Sequence, residues 1–163
     1  MVLCGYVSCL CWCTGLPVLS PKTVERLPLG FSLVDAIFPG FELGDFTVFH
    51  GVASNSMLFN LCVRCQLPPS KGGLSSSAVF VDGGNIFNPY FISEIARGCG
   101  LNPKDVLERI YVSMVFTAYQ LSSLMLEKLK KAVRKFSSKL VAVSNIFPVS
   151  SLVGMFGKRM SCF

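Results

Sequence analysis

SSSAVFVDGGNIFNPYFISEIARGCGLNPKDVLERIYVSMV, residues 75–115, decides the fold. AVFVD (78–82) is an unbroken apolar and β-branched run that stops at Asp82-Gly83-Gly84, which reads as a buried strand followed by a turn. Pro89 then opens a helix, at the first-turn position that tolerates proline. Ile92, Ile95 and Ala96 share one face of it, and Gly98 to Gly100 end it. Asn102-Pro103 starts a shorter helix, DVLER. IYVSMV (110–115) is a second strand of the same kind. Strands that alternate with helices and are apolar throughout imply a parallel sheet covered on both faces.

The pattern continues outward in both directions. FTVFHG (46–51) reads as a buried strand, and residues 53–66 as a helix stopped by Pro68-Pro69. The longest helix is expected over 118–136. Its apolar stripe is Leu121, Leu124, Met125, Leu129, Ala132, Val133 and Phe136, with Lys128, Lys131 and Lys135 around the other side. KLVAVS (139–144) closes the set as a fourth strand. The fold class is therefore α/β, a three-layer parallel sheet flanked by helices. Ligands of such sheets bind beyond the carboxyl ends of the strands, so chemistry is sought at 50–57, 82–88, 115–120 and 144–147. Residues 25–150 form the expected core, 1–24 an apolar cysteine-rich tail without an assigned element, and 151–163 a carboxyl-terminal tail.

Composition limits the classes available. The chain has 163 residues, 52% of them hydrophobic and 15% charged, the reverse of a disordered chain. The net charge is +6, but residues 1–127 carry seven basic and nine acidic residues, while 128–163 carry eight basic and none acidic. That local positive charge is read either as a contact for nucleic acid or anionic lipid, or as a solvated helix face. Of the eight cysteines, four fall in the first thirteen residues, spaced C-x4-C-x-C-x-C, unlike structural zinc clusters. Cys62 and Cys65 lie within a helix and read as small buried hydrophobes. No metal site and no disulfide is expected, and a cytoplasmic location follows as the default. Residues 1–20 carry no charge, but Gly5, Ser8, Thr14, Gly15 and Pro17 interrupt any membrane span.

The segments GFELGDFTVFHG (40–51), QLPPSKGGLSSSAVFVDGGNIFNPYFISEIARGCGLNPKDVLERIYV (66–112) and KLVAVSNI (139–146) resemble the RadA/RecA-like recombinase family. The resemblance covers roughly residues 27–146. It implies a RecA-type P-loop NTPase-like fold, incomplete because family members continue past the fourth strand, and a role around DNA recombination or repair. It also places an ATP site.

The family's phosphate loop reads G-x4-G-K-[ST], in which glycines bring N–H groups to the phosphates, lysine supplies charge and the hydroxyl binds magnesium. Here the segment is Gly51-Val52-Ala53-Ser54-Asn55-Ser56-Met57-Leu58. Counted from Gly51, Ser56, Met57 and Leu58 fall on Gly, Lys and Ser/Thr; counted back from Gln66, Ala53, Ser54 and Asn55 do. Neither register holds a lysine. The family's D-x-E-G-x-F reads Asp82-Gly83-Gly84-Asn85-Ile86-Phe87, with glycine in place of the water-positioning glutamate. Asp82 matches, and a turn-capping role is preferred for it. The family's metal-site aspartate is replaced by Ser144, followed by Asn145. Phosphoryl transfer rests on electrostatic positioning, so loss of all three charges is expected to remove hydrolysis.

The resulting expectations are a vestigial nucleotide site at Gly51, Ala53, Ser54, Asn55, Ser56 and Asp82 with no catalytic residue and no bound cofactor, ATP and magnesium included. Lys128, Lys131, Arg134 and Lys135 are the candidate DNA contacts. Expected partners are a RadA-type recombinase, a second copy of the chain, or DNA, and not a membrane. The first reading is an accessory or regulatory recombinase paralogue without ATP hydrolysis. The alternatives are a nucleotide-dependent recombinase with a divergent loop, and a membrane-associated structural module.

Overall fold

A computed structural model of the chain describes residues 8–13 and 25–145. The expected carboxyl-terminal tail, 151–163, lies outside the described residues, as does most of the amino-terminal one.

The elements run in the order β1 (Ser8–Cys13), β2 (Arg26–Leu27), α1 (Ser32–Asp35), β3 (Phe41–Glu42), β4 (Phe46–His50), α2 (Ser54–Arg64), β5 (Ser77–Asp82), α3 (Pro89–Gly98), α4 (Pro103–Glu108), β6 (Ile110–Met114), α5 (Ala118–Ser123), α6 (Leu129–Lys135) and β7 (Ser138–Ser144). Five strands form the main sheet in the order β4-β1-β7-β5-β6, and β2 pairs with β3 in a separate two-stranded ladder.

The four strands expected from sequence are present and mutually parallel. β5 lies between β6 and β7 in parallel register. β4 runs the same way, but it meets β7 only through β1, which is antiparallel to both. The sheet is thus mixed where a wholly parallel one was expected. The departure comes from Ser8–Cys13, part of the uncharged apolar stretch to which the sequence assigned no element.

Burial follows position in the sheet. β5 is buried at every residue and β7 at all but Lys139, while the edge strands β4 and β6 are partly exposed. The two-residue alternation of a strand sends side chains to opposite faces. Ala78 and Phe80 of β5 and Leu140 and Ala142 of β7 therefore pack with Leu58, Leu61 and Cys62 of α2, Ile92 and Ala96 of α3, and Val106 of α4. Val79, Val81, Val141 and Val143 pack with Leu121 and Leu129 of α5 and α6. Two apolar layers on two faces make the three-layer architecture.

The helix starts are chemical. The Asn88 side chain accepts from the N–H groups of Tyr90 and Phe91 at 3.0 and 3.2 Å, and Pro89 follows at the first helical position. Asn102 and Pro103 repeat the device for α4, with Asn102 accepting from Lys104 N–H. Thr117 accepts from Gln120 N–H to start α5. α5 and α6 are one rod joined by a π-helical turn, Leu124–Lys128. Leu121 and Leu129, each 3% exposed, are eight residues apart, about 2.2 turns of regular α-helix. The wider π turn brings both onto the sheet-facing side.

Candidate functional site

The carboxyl ends of β4, β5 and β7 bring the three compared segments to one edge of the sheet. After β4, the chain turns at Gly51, whose φ of +118° favours glycine. Helix α2 begins at Ser54, so only Val52 and Ala53 separate it from Gly51. That start fits the register counted back from Gln66, in which Ser54 stands at the lysine position. Ser54 is 3% exposed, its hydroxyl donates to Gly51 C=O at 2.8 Å, and its own N–H donates to the same oxygen at 3.2 Å. Turn and helix are thus tied to each other. Asn55 is half-buried and Ser56 exposed on the first turn of α2.

Asp82 ends β5 and is 1% exposed. One carboxylate oxygen accepts from the N–H groups of Gly84 and Ile86, both at 3.1 Å, and from the Ser144 hydroxyl at 2.9 Å. The other accepts from Phe87 N–H at 2.9 Å. Three backbone donors and one hydroxyl therefore hold the turn 83–87 against the end of β7. This is the turn-capping geometry, with one bond, from Ser144, that the sequence comparison had not identified. Serine at the aspartate position is the signal that could have shown it: a second carboxylate there would meet Asp82 without the donor that a hydroxyl supplies.

Beside this bond the chain closes on itself. Asn145 adopts φ +50°, and its side chain lies over Gly84. A Cβ added at Gly84 would stand 2.7 Å from Asn145 Cβ and closer still to its amide nitrogen. At Gly83 an added Cβ would meet the Asn145 carbonyl oxygen at 2.6 Å. The volume into which a glutamate at position 84 would project is occupied by Asn145.

A magnesium-nucleotide asks for a free carboxylate oxygen, a cation beside the phosphates and a polarising base. These residues do not fit one. The carboxylate is committed to the turn, residues 51–58 hold no lysine in either register, and residue 84 is a glycine. Among the described residues there is also no group of three His, Cys, Asp or Glu able to hold a metal ion.

The basic residues lie elsewhere. Lys128, Lys131, Arg134 and Lys135 are exposed on the rod α5–α6, away from its sheet-facing leucines. The carboxyl end of α6 leads into the start of β7, so the cations gather toward the opposite edge of the sheet from Asp82. The Lys135 ammonium sits 5.4 Å over the ring of Phe136, which stacks on Tyr111. Among the described residues no helix is long and apolar enough to cross a membrane. Cys62, Cys65 and Cys99 are not joined in disulfides, and burial pushes the Cys62 pKa up to about 12.

The family model described as Rad51 matches residues 28–152. Among curated proteins, the chain is 34% identical over 108 residues to the DNA repair protein RAD51 homolog B of Zea mays. That match covers 64% of this chain and 32% of the maize protein, so the chain spans about a third of the length of this relative.

Proposed function

This chain belongs to the Rad51 family, and from that premise we propose that it is a recombination and repair factor that does not hydrolyse ATP. It acts as an accessory or regulatory protein, on DNA or on an active recombinase, in the reducing cytoplasm. The observation that carries the reading is the closed edge beyond β5 and β7. Asp82 is saturated by three N–H groups and the Ser144 hydroxyl, and Asn145 occupies the space over Gly84. An ATPase of this architecture needs that carboxylate and that space for its metal and its water. The apolar scaffold remains, and with it surfaces that can engage a partner of related shape.

The test is calorimetric titration with Mg-ATP, run beside a strand-exchange reaction of an active recombinase with and without this protein. The expected result is no heat of nucleotide binding, together with a change in the rate or extent of exchange. Micromolar, magnesium-dependent ATP binding would overturn the reading in favour of a working nucleotide site. The basic rod is the expected DNA contact, through Lys128, Lys131, Arg134 and Lys135. Contacts of lysine and arginine with phosphates give sequence-blind, salt-sensitive binding.

A further inference from the structure

The two-residue link between α6 and β7, Phe136-Ser137, presents one exposed serine at the end of a basic helical turn. We propose that Ser137 is a phosphorylation site for a protein kinase with an acidic substrate groove, recognised through Arg134 and Lys135. The inference is independent of what the basic rod contacts.

Arg134-Lys135-Phe136-Ser137 places two bases three and two residues before a hydroxyl. A kinase that selects substrates by charge needs cations at a set distance from the acceptor, where they meet the carboxylates of its groove. Among the described residues no other serine or threonine has bases at both of those positions.

The neighbouring serines are spent on structure. Ser76, Ser77 and Ser138 are 4%, 7% and 4% exposed. Ser76 Oγ donates to Ser137 C=O at 3.2 Å and Ser77 Oγ to Phe136 C=O at 2.7 Å. Ser138 Oγ donates to the carbonyls of Ser77 and Leu140 at 2.9 and 2.8 Å. Ser137, Arg134 and Lys135 are all exposed, and the Ser137 φ of +49° marks a turn between helix and strand. A kinase groove takes an extended peptide, so the last turn of α6 must open. The bonds given up are Phe136 N–H to Ala132 C=O at 2.9 Å and Ser137 N–H to Arg134 C=O at 3.3 Å. Both lie at a helix end, where local opening costs least.

In the reaction Ser137 Oγ attacks the γ-phosphorus of the kinase's ATP. An Oγ–P bond forms, the bond from that phosphorus to the β–γ bridging oxygen breaks, ADP leaves, and the hydroxyl proton passes to the kinase's catalytic aspartate. The product carries a charge of about −1.5 to −2 at neutral pH. It stands in sequence beside Arg134, Lys135 and Lys139, the last paired with Glu25 at 2.7 Å. Phosphorylation thus cancels the charge of Arg134 and Lys135 and makes the basic end of the rod a switch.

The experiment incubates the folded full chain with ATP and the catalytic subunit of the cyclic-AMP-dependent protein kinase, verified on a peptide substrate, and maps phosphate by mass spectrometry. Lys158-Arg159-Met160-Ser161 repeats the spacing outside the described residues, so mapping by residue, not total incorporation, decides. Phosphate is expected at Ser137 and absent from Ser76, Ser77 and Ser138, and Ser137→Ala should remove it. Arg134→Ala/Lys135→Ala should slow modification of Ser137 about 10-fold, as loss of two screened charge pairs would. These side chains are exposed, and an unchanged thermal melt verifies folding of each variant. An unmodified Ser137, phosphate on Ser138 in its place, or an unchanged rate in the double variant overturns the inference.

Discussion

Replacing Asp82 separates two roles for a buried carboxylate by the sign of the effect. As a turn cap, Asp82 stabilises the chain through four accepted bonds. A hydrogen bond to a charged group contributes about 1.5–3 kcal/mol, and a buried donor left without its acceptor costs about 1–3 kcal/mol. Asp82→Ala strands three N–H groups and one hydroxyl. Residues 83, 84, 86 and 87 are only half-buried, so water recovers part of the loss, and the expected destabilisation is about 3–4 kcal/mol rather than the sum of all four. Asp82→Asn keeps the shape and one acceptor oxygen but turns an NH2 toward backbone donors, for a cost of about 2 kcal/mol. Equilibrium urea unfolding followed by circular dichroism measures both. With a slope of about 1–3 kcal/mol/M, the alanine variant should move the midpoint by at least one molar unit. A carboxylate kept for a metal would behave in the opposite way, since removing an uncompensated buried charge stabilises the fold. Neutral or stabilising Asp82→Ala, or a rise in wild-type melting temperature on adding magnesium that the variant lacks, would refute the capping argument.

Restoring the family's glutamate should not restore activity. Gly84→Glu drives its Cβ into Asn145 and is expected to destabilise by about 1–3 kcal/mol through overpacking. Adding Asn145→Gly should recover part of that loss, and non-additive unfolding energies in the double variant would show it. Cys62 should resist alkylation at pH 8 in the folded protein while half-buried Cys99 reacts, as mass spectrometry after pulsed labelling would record. The raised thiol pKa of Cys62, about 12 against 9.0, also sets a pH trend. The unfolded chain releases that proton first, so its contribution to stability is present below about pH 9 and is lost as pH climbs toward 12. A melting temperature that rises across that window would contradict the assignment.

The parts of the fold that sequence exposes are those fixed by local chemistry. β5 and β7 are legible because strands buried on both faces must be apolar at successive positions. α3 and α4 are legible because Asn-Pro supplies both a side-chain acceptor and a fixed first φ. β1 is not legible: its residues lie in an uncharged stretch where apolar content suits a tail or a strand equally, and its partners, β4 and β7, are distant in sequence. The π turn also leaves no local mark; it reconciles Leu121 with Leu129 only once both meet the sheet. At the candidate site the residue types at 51–58, 84 and 144 are readable from the sequence. That Asn145 fills the space over Gly84, and that the Ser144 hydroxyl donates to Asp82, depends on two loops meeting in three dimensions.

The placement of β1 has a consequence for how the chain comes together. Leu10 pairs with Val48 on one side and with Val143 on the other, so the middle of the sheet joins residues that lie far apart in the described sequence. Contacts that close so large a loop are slow to form. During translation β5 and β6 can pair as soon as they emerge, whereas the β1–β7 seam must wait for nearly the whole described chain. Until then β4 has no strand bridging it to β7, and the open backbone edges are exposed to whatever else is nearby.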